Sequence, residues 1–265
     1  MSARVDPLAV VDPSVDLDDA VEIGPFCVIG PRVRIGRGTV VAAHVVVSSD
    51  TEIGANCVVS PFAALGGPPQ DLSYKGEHTK LYIADGVEIR EHVTIHRGTV
   101  RSRGETRVGA GCYLMANSHV AHDCIVGEKV TLSHNCVLGG HVVVQDGAII
   151  GGLAAVHQFT RIGRGAFVGG LAAVTEDVIP FGMALGNHAE LAGLNLVGLK
   201  RRGFSRDQIQ RLRAAYRDLF KGPGVFEERL QSVKRTHAEC PEAMEIVAFI
   251  EENSKRTLCM PRRDR

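Results

Sequence analysis

The stretch Ile23–Val40, IGPFCV-IGPRVR-IGRGTV, decides the fold because it consists of three six-residue units of one pattern. Each unit begins with an isoleucine followed by a glycine, so an apolar residue and a turn-forming residue recur together at a fixed place. A period of six matches neither the 3.6-residue repeat of an α-helix nor the simple alternation of a long strand. The unit instead predicts short extended segments joined by regular corners.

The same unit extends in both directions from this stretch, with two interruptions. The aliphatic positions are Val5, Val11, Leu17, Ile23, Ile29, Ile35, Val41, Val47, Ile53, Val59 and Leu65, then Ile83, Ile89 and Ile95, then Val108, Leu114, Val120, Val126, Leu132, Leu138, Val144, Ile150, Val156, Ile162, Val168 and Val174. The interruptions are GGPPQDLSYKGEHTK (66–80) and RSRGE (101–105). Three units, or about 18 residues, close a triangular coil whose inward side chains stack on the next coil, which predicts a parallel β-helix. A β-sandwich would instead show strands of varied length with hairpin turns every 8–12 residues or so.

From about residue 190 onward the six-residue period gives way to helical patterns. SRDQIQRLRAAYRDLF (205–220) has apolar residues at three- and four-residue steps, after a Ser205 that can cap the helix. PGVFEERLQSVKR (223–235) and PEAMEIVAFIEEN (241–253) predict two further helices.

Two domains follow from this change of pattern. We expect a β-helix domain over residues 1–189 and a helical domain over residues 190–265. The charged end KRTLCMPRRDR (255–265) is interpreted as a frayed, solvated terminus.

Composition excludes several classes of protein. The 30 basic and 30 acidic residues balance, so the overall charge gives no sign of a nucleic-acid partner. The seven scattered cysteines include no C-x-x-C motif, which argues against a disulfide framework or a zinc ribbon and favours a reducing compartment. The N-terminus does not resemble a signal peptide, and no run approaches the roughly 20 apolar residues of a membrane span. We expect a cytoplasmic protein without a transmembrane segment.

The segment SHVAHDCIVG (118–127) holds two histidines and an aspartate inside the repeat. Because positions 18 apart lie above one another in a triangular coil, His122, Gly140 and Gln158 are predicted to form one column, with about 4.8 Å between successive members. Further imidazoles fall on the neighbouring columns, at His119, His141 and His157.

This clustering favours chemistry, although a single histidine at such a corner is most often a solvated or hydrogen-bonded surface residue. An imidazole, with a pKa of about 6.5 when unperturbed, is a suitable general base near neutral pH. Asp123 is placed to orient the ring of His122, and Gly140 brings a backbone N–H close without a side chain. A base, an orienting acid and a backbone donor together predict acyl transfer.

Six segments carry a resemblance to a known family. They are QDLSYKGEHT (70–79), TIHRGTV (94–100), AHDC (121–124), GGHV (139–142), AVHQF (155–159) and GNHAELAGLNLVGLKRRGFS (186–205). On these motifs the chain resembles, over essentially its whole length, the bacterial UDP-N-acetylglucosamine O-acyltransferases, which carry out the first step of lipid A biosynthesis. The resemblance implies a homotrimer of left-handed parallel β-helices with active sites in the clefts between subunits. It also implies direct transfer of an (R)-3-hydroxyacyl chain from acyl carrier protein to the 3-hydroxyl of UDP-N-acetylglucosamine.

The resemblance also implies roles for individual residues. His122 would be the general base, Asp123 would orient it, and the Gly140 N–H would stabilise the tetrahedral oxyanion. Contacts to the substrates are implied for Gln70, Asp71, His96, His119, His141, His157, Gln158, Gly170, His188 and Asn195, and proximity to phosphates is implied for Arg201 and Arg202. Neither a metal nor a cofactor is implied, since the donor thioester is carried on the 4′-phosphopantetheine of acyl carrier protein.

A ruler for the acyl chain is implied at Gly170, with Phe167 nearby. In this family the acyl groove runs along the prism, and side chains one or two coils beyond the base limit the length of the chain. A glycine at this position is expected to leave room for a longer acyl group.

Two positions depart from the family pattern. Ser73 stands where a lysine is common, with Lys75 two residues further on, and Val197 stands where a glutamate is common. Because some relatives acylate an amine at the 3-position of the sugar, the sequence leaves both a hydroxyl and an amine open as acceptor.

Other readings of the histidine cluster lead to different expectations. In a γ-type carbonic anhydrase, also a β-helix trimer, His119, His122 and His141 would hold a metal. A structural or ice-binding β-helix would show a flat ladder of threonines rather than ordered histidines. The later N-acyltransferase of the same pathway shares the hexads but has a separate domain before them, whereas here the hexads begin at residue 5.

Overall fold

The computed structural model describes residues 2–252 and 254–262, and its first half consists of short strands at six-residue intervals. Before the first interruption the strands are β1 (Arg4–Val5), β2 (Val10–Val11), β3 (Asp16–Leu17), β4 (Glu22–Ile23), β5 (Val28–Ile29), β6 (Arg34–Ile35), β7 (Val40–Val41), β8 (Val46–Val47), β9 (Thr51–Ile53), β10 (Val58–Val59) and β11 (Ala64–Gly67). Each strand is followed by a corner, as the repeat predicts.

The same arrangement continues after the first interruption. The strands are β12 (Lys80–Ile83), β13 (Glu88–Ile89), β14 (Thr94–His96), β15 (Glu105–Val108), β16 (Tyr113–Leu114), β17 (His119–Val120), β18 (Ile125–Val126), β19 (Thr131–Leu132), β20 (Val137–Leu138), β21 (Val143–Val144), β22 (Ile149–Ile150), β23 (Ala155–Val156), β24 (Arg161–Ile162), β25 (Phe167–Val168), β26 (Ala173–Val174), β27 (Gly182–Leu185) and β28 (Glu190–Leu194). The last two form an antiparallel hairpin that ends the repeat.

Three flat sheets form the sides of the prism. Sheet A has the order β1-β4-β7-β10-β13-β16-β19-β22-β25-β27-β28, sheet B has β2-β5-β8-β11-β14-β17-β20-β23-β26, and sheet C has β3-β6-β9-β12-β15-β18-β21-β24. Neighbouring strands pair in parallel, each with the strand one coil further along, apart from the terminal hairpin. The fold is the left-handed parallel β-helix followed by helices, and the predicted fold class is confirmed.

Two side chains of each unit fill the core rather than the single one that the period reveals. Besides Ile23 and Ile29, the residues two positions earlier, Val21 and Cys27, are buried. Five of the seven cysteines occupy this second inward position: Cys27, Cys57, Cys112, Cys124 and Cys136. Burial raises the pKa of these thiols, which are packing residues in a narrow prism.

Both interruptions lie at the corner between sheets B and C. Thr51 pairs with Leu81, which is 30 positions further on, and Lys80 pairs with Glu105, which is 25 positions further on, whereas regular coils pair at 18. The extra residues loop outward between β11 and β12 and between β14 and β15. The core stays in register across both loops, so the coils above and below them remain aligned.

The C-terminal part is helical, as predicted. Its helices are α1 (Leu196–Arg201), α2 (Arg206–Lys221), α3 (Phe226–Thr236) and α4 (Pro241–Glu251). Ser205 caps α2 in a capping box with Gln208. No helix in the described parts of the chain is both long and apolar enough to cross a bilayer. The division into domains after residue 189 stays a prediction.

The prediction of a frayed end at 255–265 is wrong for its described part. Asp177 N donates to Thr257 O at 2.8 Å, and Cys259 N donates to Asp177 O at 2.8 Å, so the terminus adds a bridge to the last coil. Cys259 is fully buried. The charges of this segment suggested solvation, but its backbone pairs with the otherwise open end of the β-helix. Residues 263–265 lie outside the described residues.

Candidate active site

The histidine cluster lies on the outer side of sheet B and at the corner between sheets B and C. Val120, Leu138 and Val156 pair in register on three successive coils. His122, Gly140 and Gln158 each follow two residues later and therefore occupy the same position in those coils. The column follows directly from the 18-residue period.

His122 and Asp123 form a buried hydrogen-bonded pair. The His122 Nδ1 lies 2.9 Å from Asp123 Oδ2, and the side-chain exposures are 13% and 0%. An ionised carboxylate can only accept a hydrogen bond, so Nδ1 of the imidazole is the protonated nitrogen and Nε2 holds the free lone pair. This tautomer leaves Nε2 able to accept a proton from a substrate.

Asp123 is fixed by the loop between β14 and β15, which contains the second interruption of the repeat. Its carboxylate accepts hydrogen bonds from Thr99 N at 3.0 Å, Thr99 Oγ1 at 2.7 Å and Arg103 N at 3.3 Å. Burial alone would raise the pKa of Asp123, but the hydrogen bonds from His122 and Thr99 outweigh it and hold the pKa below its usual value. The sequence showed this segment only as a break in the pattern. Its position, at the same corner of the prism as Asp123, was the one signal in the sequence that could have predicted this contact.

Gly140 presents a backbone N–H that the coil does not use. Equivalent positions, two residues after the inward aliphatic residue, hold prolines at 7, 13, 25, 31 and 61, which have no N–H at all. A Cβ on Gly140 would lie 2.7 Å from both Cε1 and Nε2 of His122. The glycine therefore lets the imidazole lie flat against the backbone, next to a free donor.

The surrounding imidazoles are held neutral by their environment. Burial, aided by repulsion from His96 and His122, lowers the pKa of His119 to about 4. Burial also lowers the pKa of His96 and of His141. His119 Nδ1 lies 2.7 Å from Thr94 Oγ1. Near neutral pH these rings are polar but uncharged, which suits contacts to a substrate.

The cluster contains side chains of the types that bind metal ions. Ligand atoms of His122, Asp123 and His141 lie within 4.8 Å of one another. The carboxylate of Asp123, however, already accepts hydrogen bonds from the His122 ring, from the backbone N–H groups of Thr99 and Arg103 and from the Thr99 hydroxyl. His122 Nδ1 is committed to the same carboxylate. This pairing leaves Nε2 of His122 and the ring of His141 to bind an ion, which is fewer than the three or four protein ligands of a typical zinc site.

The first loop brings Asp71 toward this corner. Hydrogen bonds from Ser73 lower the pKa of Asp71, with smaller contributions from the charges of His122 and Arg101. Tyr74 OH accepts a hydrogen bond from Arg97 Nη2 at 3.0 Å, which ties the loop to the prism. Gln70 is exposed on the same loop.

The structure brings only some of the remaining predicted residues together. His96 packs edge-on against His119, with ring centroids 5.1 Å apart, and His141 packs edge-on against His122 at 5.0 Å. His157 and Gln158 are exposed one coil above Gly139 and Gly140.

Residues implied around the nucleotide lie elsewhere in the single chain. Asn195 caps α1 by accepting from Gly198 N, and it donates to Gly165 O at 3.1 Å. Arg202 contacts Gly147 O. These glycines form the corner between sheets C and A, away from His122. Arg201, next to Arg202, and His188 are exposed.

Gly170 lies at the corner between sheets A and B. Ala173, the next residue on sheet B, is three coils above His119, since the pairs His119–Val137, Val137–Ala155 and Ala155–Ala173 succeed one another. Gly170 itself follows His122 by 48 positions, which is two complete coils of 18 residues and part of a third. The role of this glycine as a ruler stays a prediction.

Fold and site together define an acyltransferase of the hexapeptide-repeat class. Residues 14–49 and 105–140 match the model of the bacterial transferase hexapeptide, and residues 177–259 match "Udp N-acetylglucosamine O-acyltransferase; Domain 2". The chain belongs to the UDP-N-acetylglucosamine O-acyltransferase family, as the sequence motifs predicted.

Individual relatives match almost from end to end. An acyl-[acyl-carrier-protein]–UDP-N-acetylglucosamine O-acyltransferase of Caulobacter vibrioides is 54% identical over 98% of this chain and 99% of its own length. A protein of the same name from Thermodesulfovibrio yellowstonii is 48% identical over 95% and 97%. The crystal structure of LpxA from Acinetobacter baumannii superposes with a TM-score of 0.93 at 39% identity, covering 96% of this chain and 99% of that one.

Proposed function

We propose that the chain transfers an (R)-3-hydroxyacyl group from acyl carrier protein to the 3-position of UDP-N-acetylglucosamine, the first step of lipid A biosynthesis. The names of the relatives, which specify an acyl carrier protein donor and this sugar nucleotide, support the two substrates. The observation that carries the chemistry is the buried His122–Asp123 pair, with its free Nε2 beside the unused N–H of Gly140.

The proposed reaction is a direct transfer. Asp123 holds His122 in the tautomer whose Nε2 accepts the proton of the sugar hydroxyl. The sugar oxygen attacks the thioester carbonyl carbon, a C–O bond forms, and the Gly140 N–H stabilises the oxyanion. The C–S bond then breaks, and the imidazolium returns its proton to the departing thiolate. His122 therefore acts first as the base and then as the acid. The proposed reaction needs neither a covalent acyl-enzyme nor a cofactor bound to the protein.

A homotrimer is part of this proposal. Asn195, Arg201 and Arg202 lie on the corner between sheets C and A or beside it, so in one chain they cannot meet a ligand bound at His122. A second copy that places this corner opposite the histidines would bring them together. The outer face of sheet B is apolar and open, with Val10 and Val28 65% and 45% exposed, which suits burial between subunits.

The acyl chain is proposed to lie along sheet B above His119. The outward residues of the following coils are Val137, Ala155 and Ala173, which are small and apolar. They lead toward Gly170, where a side chain would narrow the path. The protein is proposed to work in the cytoplasm, with neither nucleic acid nor a metal among its partners.

The test is a reconstituted reaction with a panel of 3-hydroxyacyl carrier proteins of different chain lengths, each combined with UDP-N-acetylglucosamine or its 3-amino analogue. Mass spectrometry of the products identifies donor and acceptor together. The proposal expects an ester at the 3-oxygen. An amide formed from the 3-amino analogue alone would show that Ser73 and Val197 accompany a changed acceptor, and transfer from no carrier-bound donor would refute the function.

A further inference from the structure

The C-terminal tail, residues 254–262, contacts the coil that holds Gln158, the last member of the column of His122, Gly140 and Gln158. Its backbone is anchored on two elements: Thr257 and Cys259 bond to Asp177, and Met260 O accepts from Leu191 N at 3.0 Å. Thr257 Oγ1 also donates to Glu176 Oε1 at 2.9 Å. These bonds fix where the side chains that precede Thr257 can reach.

Two cationic side chains of this tail contact the coil above Gly140. Lys255 Nζ lies 4.2 Å from the centre of the Phe159 ring, and Phe159 in turn stacks on His141 at 4.4 Å. Arg256 reaches the two residues before Phe159. Its Nε donates to Gln158 O at 3.0 Å, and its Nη2 lies 2.5 Å from His157 Nδ1.

The contact with Arg256 determines which nitrogen of His157 carries the proton. A guanidinium has only donors, so Nδ1 of His157 must be the acceptor, and the proton of the neutral ring is on Nε2. The other tautomer would use Nδ1–H to donate to Gln158 O, 3.3 Å away. Arg256 donates to both Nδ1 of His157 and the carbonyl oxygen of Gln158, so the tautomer with a proton on Nδ1 is disfavoured.

We propose that Arg256 is a positioning residue that fixes the orientation and tautomer of His157, so that Nε2–H is presented to an oxygen of the bound substrate. The proposal rests on the proposed function, which places His157 among the substrate contacts. The tautomer of a working histidine is commonly fixed through its second nitrogen. For metal-binding histidines the loss of such a partner costs about 10- to 100-fold, and we expect a loss of the same order here.

A double-mutant cycle on the full-length protein tests this coupling. Arg256→Ala and His157→Ala are each expected to lower kcat/KM by about 10- to 100-fold, and the double variant is expected to lose no more than His157→Ala alone. Arg256→Lys should recover only part of the loss, because one ammonium cannot bond both acceptors as the planar guanidinium does. The matched control is Arg262→Ala, an exposed arginine of the same tail that lies 4.0 Å from Glu190. It should retain the wild-type rate.

A second measurement does not depend on activity. The ¹⁵N shifts of the labelled His157 ring, assigned by comparison with His157→Ala, should report a proton on Nε2 in the wild type and a mixture of tautomers in Arg256→Ala. Losses that add in the cycle, or an unchanged tautomer in Arg256→Ala, would overturn the proposal. A wild-type enzyme inactive toward every donor would refute the proposed function instead, while the ring shifts would still decide the role of Arg256.

Discussion

Two corners of the prism carry the same types of residue in the same backbone conformation, yet only one of them is proposed to be the chemical site. At the corner between sheets A and B, Phe26, His44, Phe62 and His92 stack as a ladder, with ring centroids 4.9–5.0 Å apart. At the corner between sheets B and C, His141 stacks on Phe159 at 4.4 Å. All six rings belong to residues with positive φ, between 59° and 66°. Stacked rings are thus a product of the repeat itself.

The second corner differs from the first in its polar partners, which come from the loop between β14 and β15 and from the C-terminal tail. Thr99 and Arg103, from this loop, bond Asp123, and Ser102 Oγ lies 3.2 Å from His141 Nδ1. The C-terminal tail adds Lys255 over Phe159. The rings of the first corner stack on one another along an open edge, where Phe26 and Phe62 are about half exposed. The repeat sets the spacing of side chains, and the interruptions supply the polar partners that give one column a chemical role.

The largest expected difference between the two corners is in turnover. His122→Ala should lower kcat by about 10²- to 10⁴-fold, because the proposed general base is lost. His44→Ala, in the ladder of the other corner, should stay within about twofold of the wild type. Steady-state kinetics on preparations matched for trimer content measure both. Equal losses in the two variants would mean that the corners do not differ in function.

Glycines at equivalent corner positions provide the next comparison. A Cβ at Gly140 would meet the His122 ring at 2.7 Å, whereas a Cβ at Gly152 would meet only His134 O at 3.4 Å. Gly140→Ala is expected to lower kcat about 100-fold by displacing the ring, and Gly152→Ala to leave it unchanged. Single-turnover rates and circular dichroism of both variants are the measurement. A fully active Gly140→Ala would show that the ring needs no such close approach.

Chain-length selectivity tests the upper end of the corner between sheets A and B. Gly170→Met would place a long side chain near the outward face of Ala173, and it should shift the preference among acyl donors toward shorter chains by about 10-fold or more in kcat/KM. The site is tight, since a Cβ would lie 3.1 Å from Gly152 O. Competition between acyl carrier proteins of different chain lengths measures the shift. Unchanged selectivity would remove the ruler from Gly170.

The contribution of the interruption itself should be smaller. Thr99→Val removes the hydroxyl that donates to Asp123 Oδ2 at 2.7 Å but keeps the backbone N–H bond. We expect kcat to fall about 10-fold with little change in KM, since the loss of a partner to the orienting acid costs about 10- to 100-fold. Thr160→Val is the control, because its buried hydroxyl has no hydrogen-bond partner in the described structure. If the two variants behaved alike, the interruption would have no part in orienting the base.

The smallest effect is on stability. Because burial lowers the pKa of His119 to about 4 while an unfolded histidine titrates near 6.5, the unfolded chain binds the extra proton between these values. The free energy of unfolding should therefore fall as the pH falls from 6.5 to 4. His119→Gln should make the free energy of unfolding less dependent on pH, by an amount that corresponds to up to about one bound proton. Denaturant unfolding at a series of pH values measures it, and an unchanged slope would contradict the burial of a neutral ring.

The same contrast explains what the sequence could predict. The column of His122, Gly140 and Gln158 follows from the period of 18, because every coil between them is regular. The hydrogen bonds from Thr99 to Asp123, 24 positions apart, depend on the path of a loop that no period sets. Arg256 and His157 are 99 positions apart, and the tail was expected to be solvated. Neither contact produces a periodic pattern in the sequence, so only the three-dimensional structure reveals it.

The most direct test is a crystal structure of the protein with UDP-N-acetylglucosamine bound. The 3-hydroxyl of the sugar is predicted to lie about 2.6–3.2 Å from His122 Nε2, with Asp123 on the opposite nitrogen. A sugar bound at another corner, or a 3-hydroxyl that faces no nitrogen of His122, would contradict this prediction.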